Sequence, residues 1–151
     1  MWLSSKKFGH ELGLSACFRQ PRANSHCRLL HGYALSFKFE FAAKDLDANN
    51  WVVDFGSLKP LKMRLENLFD HKMLIDSTDP LRHVFDHLNN TGAAEVIFLP
   101  DGVGCEAFAK MAYDMATEFI IDARMADRVI VVSAECAEHG ANSATYLNSK
   151  W

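Results

Sequence analysis

No stretch of this chain is apolar for anything near the roughly 20 residues that a membrane-spanning helix requires. Its first residues also lack the hydrophobic segment of a secretory signal. Nor is there an excess of positive charge. Sixteen lysines and arginines stand against 19 aspartates and glutamates, for a formal net charge of −3, which argues against the strongly basic footprint of a nucleic-acid binder. Cysteine is scarce: Cys17, Cys27, Cys105 and Cys136 form neither a C-x-x-C pair nor a dense framework. A disulfide-stapled secreted scaffold is therefore not expected, and reduced thiols in a cytoplasm are. Internal repeats, low-complexity tracts and linkers are absent as well. What is there is a chain of 151 residues, 49% of them hydrophobic, enough to bury one core but hardly two. A single domain over residues 1–151 is expected.

Hydrophobic periodicity divides the chain into strands and helices. Tyr33 to Phe41 alternates, with Leu35, Phe37, Phe39 and Phe41 on one face, the pattern of a half-buried strand. After Asp54, residues Leu58, Leu61, Leu65 and Leu68 recur at helical spacing. Ser57 is placed to cap this helix, and Pro60 falls in its first turn, where a missing N–H costs little. Residues 76–104 are the least regular, broken by Asp79-Pro80, Asn89-Asn90 and Pro100-Asp101-Gly102. A short helix over 81–88 and a short strand over 95–99 fit between these breakers. Phe108, Met111, Ala112, Met115 and Phe119 form the core-facing stripe of a second long helix. Residues 128–135 read as a strand and 143–147 as a short closing one.

The chemistry-bearing residues concentrate in Ser25-His26-Cys27-Arg28-Leu29-Leu30-His31-Gly32-Tyr33 and in the distant pair Asp70-His71. Cysteine acts as a base or nucleophile through its thiolate, which neighbouring imidazole and guanidinium groups favour. Cys27 has His26 and Arg28 beside it and His31 four residues on. Asp70-His71 supplies an imidazole that a carboxylate can orient, a common device for moving protons near neutral pH. The plainer alternative makes Cys27 a small core residue and His31 a hydrogen-bonded loop histidine.

Five separated segments resemble the 6-pyruvoyltetrahydropterin synthase/QueD family. Cys27-Arg28-Leu29-Leu30-His31-Gly32-Tyr33 is similar to its C-x-x-x-H-G-H signature, and Asn50 to Lys59 to its G-x-h-x-D-F-x-x-L-K segment. Phe69-Asp70-His71-Lys72-Met73-Leu74 resembles L-D-H-x-x-L, and Leu14-Ser15-Ala16-Cys17-Phe18-Arg19 resembles F-S-A-S-H-R. Glu138, eight residues before Tyr146, fits the family's strand-borne glutamate and closing A-x-Y. The segments keep the family's order from about residue 7 to residue 148.

The resemblance implies an α+β tunnelling fold. In it, a four-stranded antiparallel sheet carries two helices on one face, and the sheets of several subunits join into a barrel, giving a homohexamer built as a dimer of trimers. It also implies a carbon–oxygen lyase acting on 7,8-dihydroneopterin triphosphate. The product would be 6-carboxytetrahydropterin, in 7-deazaguanine (queuosine) synthesis, or 6-pyruvoyltetrahydropterin; a non-catalytic pterin or purine binder is the rival class. Cys27 would remove a side-chain proton, and Asp70 and His71 would complete the relay. Glu138 would anchor the pterin ring, because two adjacent N–H donors suit a carboxylate; Glu135 competes for that role. Arg19, Arg22 and Arg28 are candidates to meet the triphosphate, Arg19 and Arg28 foremost. Asp54 is expected to be structural, and Glu106, placed at the glutamate of a P-T-x-E-N motif, to stabilise a helix start.

Zinc is where this chain departs from the resemblance. The family implies three histidines, of which only His31 is present, with Tyr33 at the second H-G-H position and Phe18 at the first-strand position. Catalytic zinc takes three protein ligands from His, Cys, Asp or Glu. Either Zn2+ is lost or weakened, or Cys17, His10 or His26 rebuilds its site, or the activity is altered.

Overall fold

Leu35, Phe37, Phe39 and Phe41 are fully buried on one face of a 13-residue strand, β3 (His31–Ala43), in the computed structural model, which describes residues 1–151. Alternation along a pleated strand places exactly such a set on one side, and the rest of the molecule is organised around it. β1 (Trp2–Phe8) and β2 (Leu14–Phe18) both pair antiparallel with one edge of β3. They behave as one strand interrupted by a kink at residues 9–13, which contains a 3₁₀ turn at His10–Leu12. β6 (Val129–His139) takes the other edge of β3, and β7 (Asn142–Leu147) lies outside β6.

This is the expected antiparallel sheet, and two parallel strands extend it. β4 (Lys72–Asp76) pairs with β2, and β5 (Glu95–Leu99) pairs with β4, for an order β5-β4-β2-β3-β6-β7. Helices α1 (Lys59–Phe69) and α3 (Cys105–Asp122) pack on the phenylalanine face of β3. Phe69 stands 4.7 Å from Phe37 and 5.3 Å from Phe108, ring centre to ring centre. Each aromatic or leucine buried this way removes enough apolar surface from water to contribute about 1.5–3 kcal/mol. A third helix, α2 (Arg82–Asn90), precedes β5. No helix is long and apolar enough to cross a membrane.

The start of α1 differs from expectation. Ser57 does not cap it: its hydroxyl donates to the Asp54 carbonyl at 2.7 Å. Asp54 instead caps the 3₁₀ turn Phe55–Leu58, accepting from the Gly56 N–H at 2.9 Å, and α1 continues from that turn with Pro60 in its first turn. The short carboxylate reaches its own backbone two residues on more readily than a serine at the following step does.

Candidate active site

Cys27 sits on a 3₁₀ turn, His26–Arg28, in the loop from β2 to β3, and is half-buried rather than part of the core. The turn is fastened on several sides. Ser25 Oγ accepts from the Cys27 N–H at 3.4 Å, and the Gln20 N–H donates to the Cys27 carbonyl at 2.9 Å. Gln20 Nε2 donates to the Val103 carbonyl at 2.8 Å, tying the loop to the approach of α3. At its far end the loop enters β3 through Gly32. A Cβ there would lie 2.6 Å from the Ala16 carbonyl oxygen; that oxygen is backbone in a paired strand and cannot give way, so only glycine fits.

A recess of about 200 Å³ opens beside this turn, with Cys27, His31, Cys105, Glu106 and Glu138 in its wall. His31 Nδ1 donates to the Leu29 carbonyl at 2.6 Å. A carbonyl only accepts, so Nδ1 carries the hydrogen, which in the neutral imidazole leaves the lone pair on Nε2. Glu138 reaches the recess from a β-bulge, where the β6–β7 register shifts between Ala137 and His139; bulges commonly re-aim a side chain beside a functional site. Glu135 does not line the recess and lies opposite Lys38 and Thr145 in the ladder. Glu106, in the first turn of α3, faces the same space. A larger recess between Trp2, Trp51 and Phe55 contains no cysteine or histidine.

Sequence reasoning missed Cys105. It is buried at the first position of α3, where interaction with the Cys136 thiol draws its pKa down, while the Cys136 thiol is pushed up by the same interaction and by burial. The signal available was its place one residue before Glu106, at the start of a periodic helix following Gly104.

Asp70 and His71 lie elsewhere. Asp70 Oδ1 accepts from His71 Nδ1 at 2.8 Å and from the Ser15 N–H at 3.2 Å, while the His71 N–H donates to the Ser15 carbonyl at 2.7 Å. Burial pulls the Asp70 carboxyl upward, but the hydrogen bonds from His71 and Ser15 outweigh it and hold the group below its usual range. His71 has φ +56°, a left-handed conformation uncommon outside glycine and asparagine. Such strain concentrates where function fixes a side chain. The imidazole is 83% exposed. It lines a second recess with Ser15, Cys17 and Lys72. Ser15 and Cys17 alternate with the core-facing Leu14, Ala16 and Phe18, so this recess belongs to the other face of β2. Within one chain Cys27 and His71 are not in the same recess.

The structure changes the expectation for Arg19 and bears on the open question of zinc. The Arg19 guanidinium is not free for a phosphate. Nε and Nη2 grip the two oxygens of Asp79 at 2.7 and 2.8 Å, and Nη1 donates to the Arg28 carbonyl at 2.9 Å. Hydrogen bonding from Arg19 holds the fully buried Asp79 carboxyl below its ordinary range. Arg19 thus fastens the Cys27 loop to a turn 60 residues away. Arg22 leans toward Asp76 at 3.4 Å and is largely exposed. The side chain of Arg28 makes no hydrogen bond or ion pair.

The donors present do not fit zinc. Phe18 lies opposite His31 in the ladder, and Phe18, His31 and Tyr33 form one aromatic cluster on the core face. Phenylalanine has no lone pair to give. Tyrosine ligates well only when ionised, and burial, then the charges of Glu138, Cys27 and Cys105, push its pKa up. Cys17 cannot replace them, since it lies opposite Gly32 on the other face of β2. His10 is held by the Ala34 carbonyl at 2.5 Å. No group of three His, Cys, Asp or Glu side chains is placed to hold a metal ion.

Comparison with known proteins agrees with this architecture. The family described as 6-pyruvoyl tetrahydropterin synthase matches residues 9–149. A 6-carboxy-5,6,7,8-tetrahydropterin synthase from Aquifex aeolicus is 26% identical, the match covering 96% of this chain and 97% of that protein. Among solved structures, an uncharacterized protein from Wolinella succinogenes superposes with a TM-score of 0.76 at 19% identity, covering 98% of both chains. The 6-pyruvoyl tetrahydropterin synthase of Plasmodium falciparum superposes with a TM-score of 0.67 at 13% identity, covering 95% of this chain and 96% of that one. At those identities the structures speak for the fold alone, and the matched span of sequence speaks for kinship. With an antiparallel sheet backed by α1 and α3, a cysteine turn before Gly32 and a match over nearly its whole length, the chain belongs to the 6-pyruvoyl tetrahydropterin synthase family.

Proposed function

We propose that this protein is a pterin lyase of the 6-carboxytetrahydropterin synthase type, acting on 7,8-dihydroneopterin triphosphate in the cytoplasm as a step of 7-deazaguanine (queuosine) synthesis. The observation that carries the reading is one recess containing both Cys27 and Glu138. One is a thiol suited, as its thiolate, to take a proton, and the other a carboxylate suited to the two adjacent N–H donors of a pterin edge. With the ring held by Glu138, the side chain at the other end of the bicycle extends toward Cys27 and His31. The full-length similarity to a 6-carboxy-5,6,7,8-tetrahydropterin synthase favours that product.

The proton relay needs Asp70-His71, which faces outward from the opposite side of β2. It is therefore supplied by a neighbouring copy, in a homohexamer built as a dimer of trimers, with residues 1–151 acting as one unit. Free strand edges give that assembly a physical motive: β1 has one unpaired edge, and β5 and β7 end the sheet. His71 Nε2 is the atom presented to the partner's recess. Arg28, unlike Arg19, is free to meet the triphosphate. A second reading, a pterin binder without turnover, is favoured by one observation only, the donor set that does not fit zinc.

Incubation of the purified protein with 7,8-dihydroneopterin triphosphate separates the readings. Release of triphosphate together with a 6-substituted tetrahydropterin is expected. Tight binding with no release would leave the non-catalytic binder.

A further inference from the structure

Where β2 and β3 come together beside the recess, three rings meet, two of which, Phe18 and His31, line it. Phe18 and His31 are 5.1 Å apart, Phe18 and Tyr33 6.1 Å, and His31 and Tyr33 5.5 Å, centre to centre. Tyr33 also lies 6.0 Å from the ring of His139, the residue after Glu138. It thus stands between two stretches of backbone that carry recess-lining side chains, His31 on one side and Glu138 on the other. A phenol is protonated at neutral pH and can donate one hydrogen bond. Phe18 and His31 line the recess, and Tyr33, whose ring lies against both and whose hydroxyl has no hydrogen-bond partner within the chain, adjoins it. A neutral His31 bonded through Nδ1 keeps Nε2 as an acceptor.

A metal ion holds a polyhydroxylated side chain by drawing on the lone pairs of its oxygens. A phenol and an imidazole can hold the same atoms by hydrogen bonds, the phenol donating to one oxygen and the imidazole accepting from a neighbouring hydroxyl. We propose that this chain grips the oxygenated side chain of its pterin without a metal ion, Tyr33 Oη donating to one side-chain oxygen and His31 Nε2 accepting from the next hydroxyl. This deepens the pterin reading and rests on it. It makes Tyr33 a specificity-determining residue, sensitive to the side chain of the ligand and indifferent to its ring.

The test uses the full chain, two ligands and one conservative variant. Neopterin carries the hydroxylated side chain and pterin lacks it. Affinity for each is measured by calorimetry on the wild type and on Tyr33→Phe, which keeps the ring in the cluster. Bound zinc is counted by mass spectrometry after saturation with Zn2+ and dialysis. Tyr33→Phe should weaken neopterin roughly tenfold, the scale of one lost hydrogen bond, and leave pterin unchanged. The wild type should retain far less than one zinc per chain. Equal affinities of wild type and variant for neopterin, or equal losses for both ligands, would overturn the role of Tyr33. One zinc per chain with normal pterin binding would overturn the metal-free grip and leave the pterin reading standing. Failure of the wild type to bind either ligand would overturn the pterin reading and the Tyr33 role together.

Discussion

The Cys27 recess and the Asp70-His71 ledge lie on opposite sides of the same short strand, and they are built differently. Cys27 is half-buried, on a turn tied down by Gln20, Ser25 and Arg19, and it faces a walled recess. His71 is 83% exposed, held only through its backbone and its Asp70 neighbour, and it borders an outward-facing recess with Ser15, Cys17 and Lys72. The first has the form of a place where a ligand is enclosed. The second has the form of a tool extended outward, with its imidazole oriented and its backbone strained. On the proposed reading, a catalytic pair divided this way would leave each subunit incomplete alone and couple turnover to assembly.

The difference can be broken first at Cys27. Cys27→Ala should reduce triphosphate release by about 10²–10⁴-fold, the usual contribution of a positioned acid or base, while pterin binding through Glu138 persists. Steady-state turnover set against calorimetry checks it. A variant that loses binding and turnover in proportion would show that Cys27 shapes the recess rather than moving a proton.

The fastening of the Cys27 turn is the next point of attack. Asp79→Ala leaves the largely buried Arg19 guanidinium unpaired, and removing one partner of a buried ion pair costs about 3–5 kcal/mol. Denaturant unfolding should show it, with faster alkylation of Cys27 as the loop is released. The same carboxyl has a pH signature. Its pKa is depressed in the folded protein by Arg19, so its contribution is fully present above the unfolded carboxylate value of about 4. It is lost as the pH falls through the lower folded value. Acid unfolding should therefore be steeper in the wild type than in Asp79→Ala, and coincident profiles would remove the fastening role.

A smaller effect is expected at the ring anchor. Glu138→Gln keeps the shape of the side chain but turns one acceptor oxygen into a donor. Pterin affinity should fall by about 1–3 kcal/mol, the cost of a buried polar group left unmatched. Unchanged affinity would remove Glu138 as the ring anchor and leave Glu106, the other carboxylate in the recess wall, as the candidate.

Much of this architecture can be read from the sequence because local periodicity and burial coincide. The four alternating side chains of β3 and the leucine stripe of α1 fill the core. The short helix and strand expected over 81–88 and 95–99 appear as α2 and β5. β1 and β4 were not legible. β1 is mostly exposed, so its sequence lacks an apolar face to announce it. β4 is five residues long and paired in parallel on both edges, which suppresses alternation. The candidate site was legible where motif and neighbours are contiguous, as at residues 25–33. It was illegible where partners are distant: nothing near Arg19 announces Asp79, and only strand parity shows that Cys17 and His31 face opposite ways.

The division of the site between copies is tested most directly by mixing two inactive variants. Cys27→Ala keeps Asp70-His71, and His71→Ala keeps Cys27. Co-expressed in equal amounts and purified as mixed assemblies, they should regain about one quarter of wild-type turnover, the share of sites that draw each intact half from a different chain. Activity no greater than that of either variant alone, in assemblies shown to contain both, would contradict a site shared between subunits.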